Sequence, residues 1–207
     1  MITIGGHDDN EGRNCDRIYE VPLIPPYNHR VLARLPERKA WHGAELVNDR
    51  IFIFGGGRNP GVPNDEVVVC DLSSNQCDVM NRLPCRIQGM GTVRLGKKVF
   101  LLGGVDETQQ ELEHVLTYDT ESGETMRLPS MREKRGGCCA VVFPIVGCSP
   151  NTSTDTLLAL GSLRQLNTVE RFDLHSHAWS YLPSTMVARE LSTAVVSPVD
   201  LNQFEQQ

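Results

Sequence analysis

Apolar and polar positions alternate along the chain in short bursts separated by glycine, proline and asparagine, which is the period of strands and not of helices. The bursts recur as a unit. An apolar run ending in a glycine doublet leads to Gly5-Gly6, Gly55-Gly56 and Gly103-Gly104, and a fourth ends in Gly161-Ser162. Successive doublets stand 50, 48 and 58 residues apart. A second strand-like run follows each, at 66–71, 115–119 and 168–173, with 17–20 as a degenerate version. Each repeat then reaches Leu-Pro, at Leu35-Pro36, Leu83-Pro84, Leu128-Pro129 and Leu182-Pro183. Proline ends a strand there because it cannot donate to the ladder.

After each Leu-Pro lies a stretch of small residues: His42-Gly43-Ala44, Gly89-Met90-Gly91, residues 136–140 and Ser192-Thr193-Ala194. Small side chains suit an innermost strand, where neighbouring sheets converge. Asn48-Asp49 and Gly96-Lys97 each sit between two apolar runs and predict two-residue hairpin turns. Four-stranded antiparallel sheets follow from this arrangement. Segment 144–155 breaks it, with two prolines, Gly147, Cys148 and several Ser, Thr and Asn where other repeats have a tight turn. We expect an exposed insertion there, the least ordered internal segment.

The pattern resembles the kelch repeat family, which joins Gly-Gly, an aromatic-Asp pair, a Trp seven residues after that aromatic, and Leu-Pro. Phe172-Asp173 with Trp179 and Leu182-Pro183 reproduces it closely. Tyr118-Asp119 keeps the first half but has Thr125 at the Trp position, and Cys70-Asp71 has Cys77 there. Looser packing is expected in those two repeats. The resemblance spans nearly the whole chain and implies an all-β, kelch-type β-propeller over residues 1–200, of about four blades with four antiparallel strands each. Its repeats run approximately 1–36, 37–84, 85–129 and 130–183, with a final inner strand at 190–197 and a disordered tail at 201–207. Residues 191–196 could pair with Ile2–Ile4 and close the ring; the other reading is an open arc, a slice of a six- or seven-bladed propeller.

Charge and composition narrow the function. A formal charge of −6 disfavours nucleic acid and anionic lipid, which reward clustered cations. No apolar run approaches the roughly 18 residues of a membrane span, and no basic segment followed by an apolar stretch opens the chain. A cytoplasmic protein is expected, so the acceptor sequence Asn151-Thr152-Ser153 should go unused. The seven cysteines are odd in number and lack metal-binding spacing, which predicts reduced thiols.

Candidate chemistry centres on a basic column that recurs once per repeat. Lys39, Arg86, Arg135 and Arg189 each precede a small residue, Ala44, Gly91, Ala140 or Ala194, by five positions. Equivalent positions would form a ring, a cationic mouth able to capture acidic side chains by charge-assisted hydrogen bonds. The structural alternative pairs each cation with an acid of a neighbouring blade such as Asp71, Asp119 or Asp173. His7-Asp8-Asp9 reads as a solvated loop, and His175 and His177 as surface residues. Cys138-Cys139 should pack on an inner strand; Cys148 in the insertion is the accessible thiol. Trp41 and Trp179 read as core residues. No catalytic constellation, metal site or cofactor is expected.

The kelch resemblance implies a protein-binding module, in some members the substrate-recognition part of cullin-type ubiquitin-ligase adaptors that also carry BTB and BACK domains, in others an actin-binding scaffold. Neither companion domain occurs in these 207 residues. The alternative it implies is an enzyme, a metal-dependent oxidase, a sugar epimerase or a thiohydrolytic specifier. The partner expected here is a protein ligand with an acidic motif.

Overall fold

The computed structural model describes residues 1–9, 12–59, 61–146, 153–164 and 166–189, which form strands and turns with no helix among them. Four antiparallel meanders follow one another along the chain. The first holds Ile2–Ile4, Arg17–Glu20 and Arg30–Arg34; the second holds Gly43–Val47, Arg50–Phe54, Val62–Asp71 and Gln76–Ile87, with Gly57–Asn59 added beside it. The third comprises Gly91–Leu95, Lys98–Leu102, Val115–Asp119 and Thr125–Leu128, and the fourth Cys139–Val146, Ser153–Leu160, Val169–Asp173 and Ala178–Leu182. A small hairpin of His7–Asp8 and Arg13–Asn14 completes the described strands.

Local chemistry sets the turns. The pairs Val47↔Arg50 and Leu95↔Lys98 leave two-residue connections at Asn48-Asp49 and Gly96-Lys97, with Asn48 and Gly96 at φ 55° and 60°. At the outer end, Asp71, Asp119 and Asp173 each take the backbone amides two and three residues ahead on Oδ1. These aspartates are turn residues rather than partners of the basic column.

The first strands of the second, third and fourth sheets lie against one another. Gly43 permits that approach, since a Cβ there would fall on the Thr92 methyl of the neighbouring sheet. Apolar faces fill the space between consecutive sheets. Phe54, Ile87, Leu101 and Tyr118 pack between the second and third; Leu102, Leu157, Phe172 and Trp179 between the third and fourth; Ile18, Ile53 and Cys70 between the first and second.

Two expectations need correction. The repeats lacking Trp are not loose: Cys70 and Tyr118 are 0% and 2% exposed. Register explains why, because Phe172↔Trp179, Tyr118↔Thr125 and Cys70↔Cys77 are the same cross-strand pair in three sheets. In the second sheet the pair is a disulfide, so the thiols are not all reduced. In the third, Tyr118 packs on Phe54 with ring centroids 5.2 Å apart and donates its hydroxyl to Asn81 Oδ1 at 2.8 Å.

The two ends of the expected insertion are paired, and residues 147–152 within it lie outside the described residues. The hairpin of the fourth sheet runs on through Pro144↔Asp155, Ile145↔Thr154 and Val146↔Ser153. Proline is accommodated because its strand is at the edge of that sheet. Cys148, Asn151 and Thr152, the strand expected at 190–197, its pairing with Ile2–Ile4 and the tail at 201–207 lie outside the described residues.

Candidate functional site

The glycine doublets place the interior groups. Gly5, Gly55, Gly103 and Gly161 all have positive φ, and an added Cβ on Gly5, Gly55 or Gly103 would collide with a carbonyl oxygen, that of Lys39, Ile87 or Arg135. Those same carbonyls accept the amides of Gly6, Gly56 and Gly104 at 2.9, 2.9 and 2.7 Å, and the Arg189 carbonyl accepts that of Ser162 at 3.0 Å. The equivalent positions are therefore Lys39, Ile87, Arg135 and Arg189. Arg86 stands one residue off the column, because Gly91 matches Gly43 and Cys139 in register rather than Ala44 and Ala140.

The column does not form a cationic mouth. Lys39 and Arg135 are both 0% exposed. Lys39 Nζ lies 3.1 Å from Glu66 Oε2, and burial holds its pKa below the ordinary lysine value against the pull of that carboxylate. Arg135 donates to Glu170 Oε1, to the carbonyls of Gly161 and Thr168, and to the Thr168 hydroxyl. Both clamps join the approach to a sheet's first strand to its third strand, within one sheet. Arg86 is exposed and reaches Glu107 at 3.5 Å, and Arg189 is exposed. Cys138 and Cys139 are buried, and burial raises the Cys138 thiol pKa to about 11, so these are packing residues. His7 contacts Asn14 at 2.9 Å, and no group of three or more potential metal ligands occurs among the described residues.

Two residues beyond the column the chain makes a rim. Trp41, Gly89 and Gly137 occupy equivalent positions, all with left-handed backbone at φ 58°, 63° and 62°. Gly89 donates its amide to the Trp41 carbonyl, and Gly137 to the Gly89 carbonyl, both at 2.7 Å, so the rim is a main-chain ladder running from sheet to sheet. A cavity of about 410 Å³ opens inside it, lined by Trp41, Gln88, Val105, Glu111, Leu163 and Arg164 among others.

The lining is chemically specific. Trp41 is 50% exposed, which corrects its assignment to the core; Trp179, at 6%, belongs there. Glu111 is 5% exposed and receives the Ser162 hydroxyl at 2.9 and 3.1 Å, while the exposed Arg164 reaches it through Nε at 3.2 Å. Gln88 Oε1 is buried with no hydrogen-bond partner among the described residues. Leu163 adds an exposed apolar edge.

A larger cavity of about 790 Å³ lies at the other end of the strands, among the hairpin turns. Among its charges Lys97 meets Glu121 at 2.9 Å and Arg50 meets Asp71 at 3.9 Å, while Arg94 donates to the Leu46 carbonyl at 3.0 Å.

No protein-family model matches the chain. It is 24% identical over 160 residues to the N-(sulfonatooxy)prop-2-enimidothioate sulfolyase of Thlaspi arvense, covering 72% of this chain and 45% of that protein. It is 28% identical over 114 residues to Kelch-like protein 22 of Rattus norvegicus, and equally to that of Mus musculus, covering 53% of this chain and 18% of theirs. The chain spans less than half the length of these relatives. Among solved structures it matches YjhT with a TM-score of 0.66 at 13% identity, over 88% of this chain and 65% of that one. At that identity the likeness is one of fold, a kelch-like β-propeller.

Proposed function

We propose that the protein is a protein-binding module whose ligand docks on the Trp41 rim. One observation carries this reading. At the three described rim positions two sheets have glycine, the residue that accepts a left-handed backbone without penalty, and the other has tryptophan, its indole half exposed beside a cavity. A non-glycine residue in that conformation costs roughly 1–2 kcal/mol, and such strain concentrates where a side chain is needed for contact. Exposed tryptophan is also a residue type on which binding energy concentrates.

On this reading the module binds and does not catalyse. The kelch resemblance of the repeats extends the proposal to a cytoplasmic protein that recognises substrates for a cullin-type ubiquitin ligase.

Site-specific cross-linking tests the docking face. A photoreactive residue in place of Leu163 on the rim should capture a species that the same residue in place of Met126, exposed on the last strand of the third sheet, does not. The purified species should then bind Trp41→Gly at least tenfold more weakly than wild type, with folding intact. Identical capture from both positions, or unchanged binding by Trp41→Gly, overturns the proposal.

A further inference from the structure

We infer that the rim cavity selects a cationic side chain of the ligand, an arginine or lysine, with Glu111 as its counter-charge and Trp41 as its platform. The inference rests on the docking reading above and concerns which chemistry that site accepts.

The lining sets two acceptors, Glu111 and Gln88 Oε1, beside one exposed cation, Arg164. Glu111 is a carboxylate held almost wholly out of solvent, and Gln88 Oε1 is a buried acceptor without a donor among the described residues. The half-exposed indole of Trp41 lines the same cavity, and indole attracts a cation most strongly among the aromatic side chains. A guanidinium carries five donors and no acceptor, so it suits a carboxylate and an aromatic ring that line one cavity.

The molecule already displays the recognition. Arg164 comes from the solvent side, with 64% of its side chain exposed, and brings Nε to 3.2 Å from Glu111 Oε2. An exposed guanidinium reaching a buried carboxylate is the contact an incoming arginine would make. Arg164 is thus a resident competitor for the Glu111 carboxylate. The opposite assignment uses Arg164 to capture an acidic side chain, and it makes opposite predictions for the same variants.

The test uses the two tryptophans of the chain. Trp179 is buried with its indole N–H donated to the Pro129 carbonyl at 2.8 Å, so its NMR signal is an internal reference, and Trp41 is the reporter. The full chain is titrated with N-acetyl-arginine amide, its neutral citrulline isostere and N-acetyl-glutamate amide. The arginine derivative should shift the Trp41 indole signal saturably, without moving Trp179, and the other two should not. Arg164→Gln should tighten that response about fivefold by removing the competitor. Glu111→Gln should weaken it at least tenfold.

A Trp41 signal unmoved by the arginine derivative overturns the inference. So does a response to the glutamate derivative that Arg164→Gln abolishes. Should Glu111→Gln fail to fold, Arg164→Gln decides alone, since its side chain is exposed. If the cross-linked partner is lost on Trp41→Gly while the arginine derivative leaves Trp41 unmoved, the docking reading stands and the cation is rejected.

Discussion

Arg135 Nη2 stands 3.1 Å from Glu170 Oε1, and neither side chain reaches solvent. Removing one member strands the other, so Arg135→Ala and Glu170→Ala should each lower stability by about 3–5 kcal/mol. Replacing both with apolar residues, as in Arg135→Met with Glu170→Leu, should recover most of that loss. Arg86→Ala, at an exposed pair, should shift stability by less than about 1 kcal/mol. Urea unfolding of the four proteins checks the ordering, and an Arg86→Ala loss equal to that of Arg135→Ala would contradict it.

Gly103 and Gly96 separate two effects of a methyl group. Both have positive φ, but a Cβ on Gly96 meets nothing within 4 Å, whereas one on Gly103 falls on the Arg135 carbonyl oxygen. Gly96→Ala should cost about 1 kcal/mol from the left-handed backbone alone. Gly103→Ala should cost several times more, or prevent folding. Thermal melts of the pair give the comparison.

The Cys70–Cys77 bridge closes a short loop across adjacent strands. On chain-entropy grounds it contributes about 2 kcal/mol. A reductant should therefore lower the melting temperature of the wild-type protein. It should leave that of the Cys70→Ala, Cys77→Ala double variant unmoved, and a reductant-induced drop in the double variant would point elsewhere.

His42 gives a pH signature. Burial, with help from nearby Lys39, lowers its pKa from 6.5 to about 4, and its Nδ1 has no hydrogen-bond partner among the described residues. The unfolded chain protonates this ring near pH 6.5 and the folded chain only near 4. Stability from this residue is thus full above about pH 6.5 and lost as pH falls toward 4, by up to roughly 3 kcal/mol. His42→Leu should flatten the stability curve in that window, and an unchanged slope would refute the assignment.

Much of the architecture was legible because it is written in residues with one backbone use. Glycine doublets mark strand ends where a carbonyl approaches, and Asn48 and Gly96 mark turns that require positive φ. The candidate site was less legible. Counting from small residues put Arg86 in the basic column, whereas counting from the second glycine of each doublet to its carbonyl partner gives Ile87. The same correction would have aligned Trp41 with Gly89 and Gly137 and marked it as a bulky residue at a position that two repeats give to glycine. The disulfide was hidden for a different reason. A seven-residue spacing signals a bridge only once the two strands are known to pair Cys70 with Cys77, and the kelch pattern had assigned that slot to an aromatic. The burial of Lys39 and Arg135 depends on Glu66 and Glu170, which sit at different places in their repeats and gave no periodic signal.

The ladder from Gly137 to Gly89 to Trp41 is made of amides and carbonyls alone, and this separates the durability of the rim from its specificity. Side chains around the opening can be exchanged without breaking any bond of this ladder. A lineage can therefore drift in what it recognises while its scaffold stays under constant selection. For an engineer, the surroundings of the rim are the place to randomise: Trp41, Leu163 and Arg164 can be varied as a library with little expected loss of soluble yield, whereas Gly89 and Gly137 are best left alone.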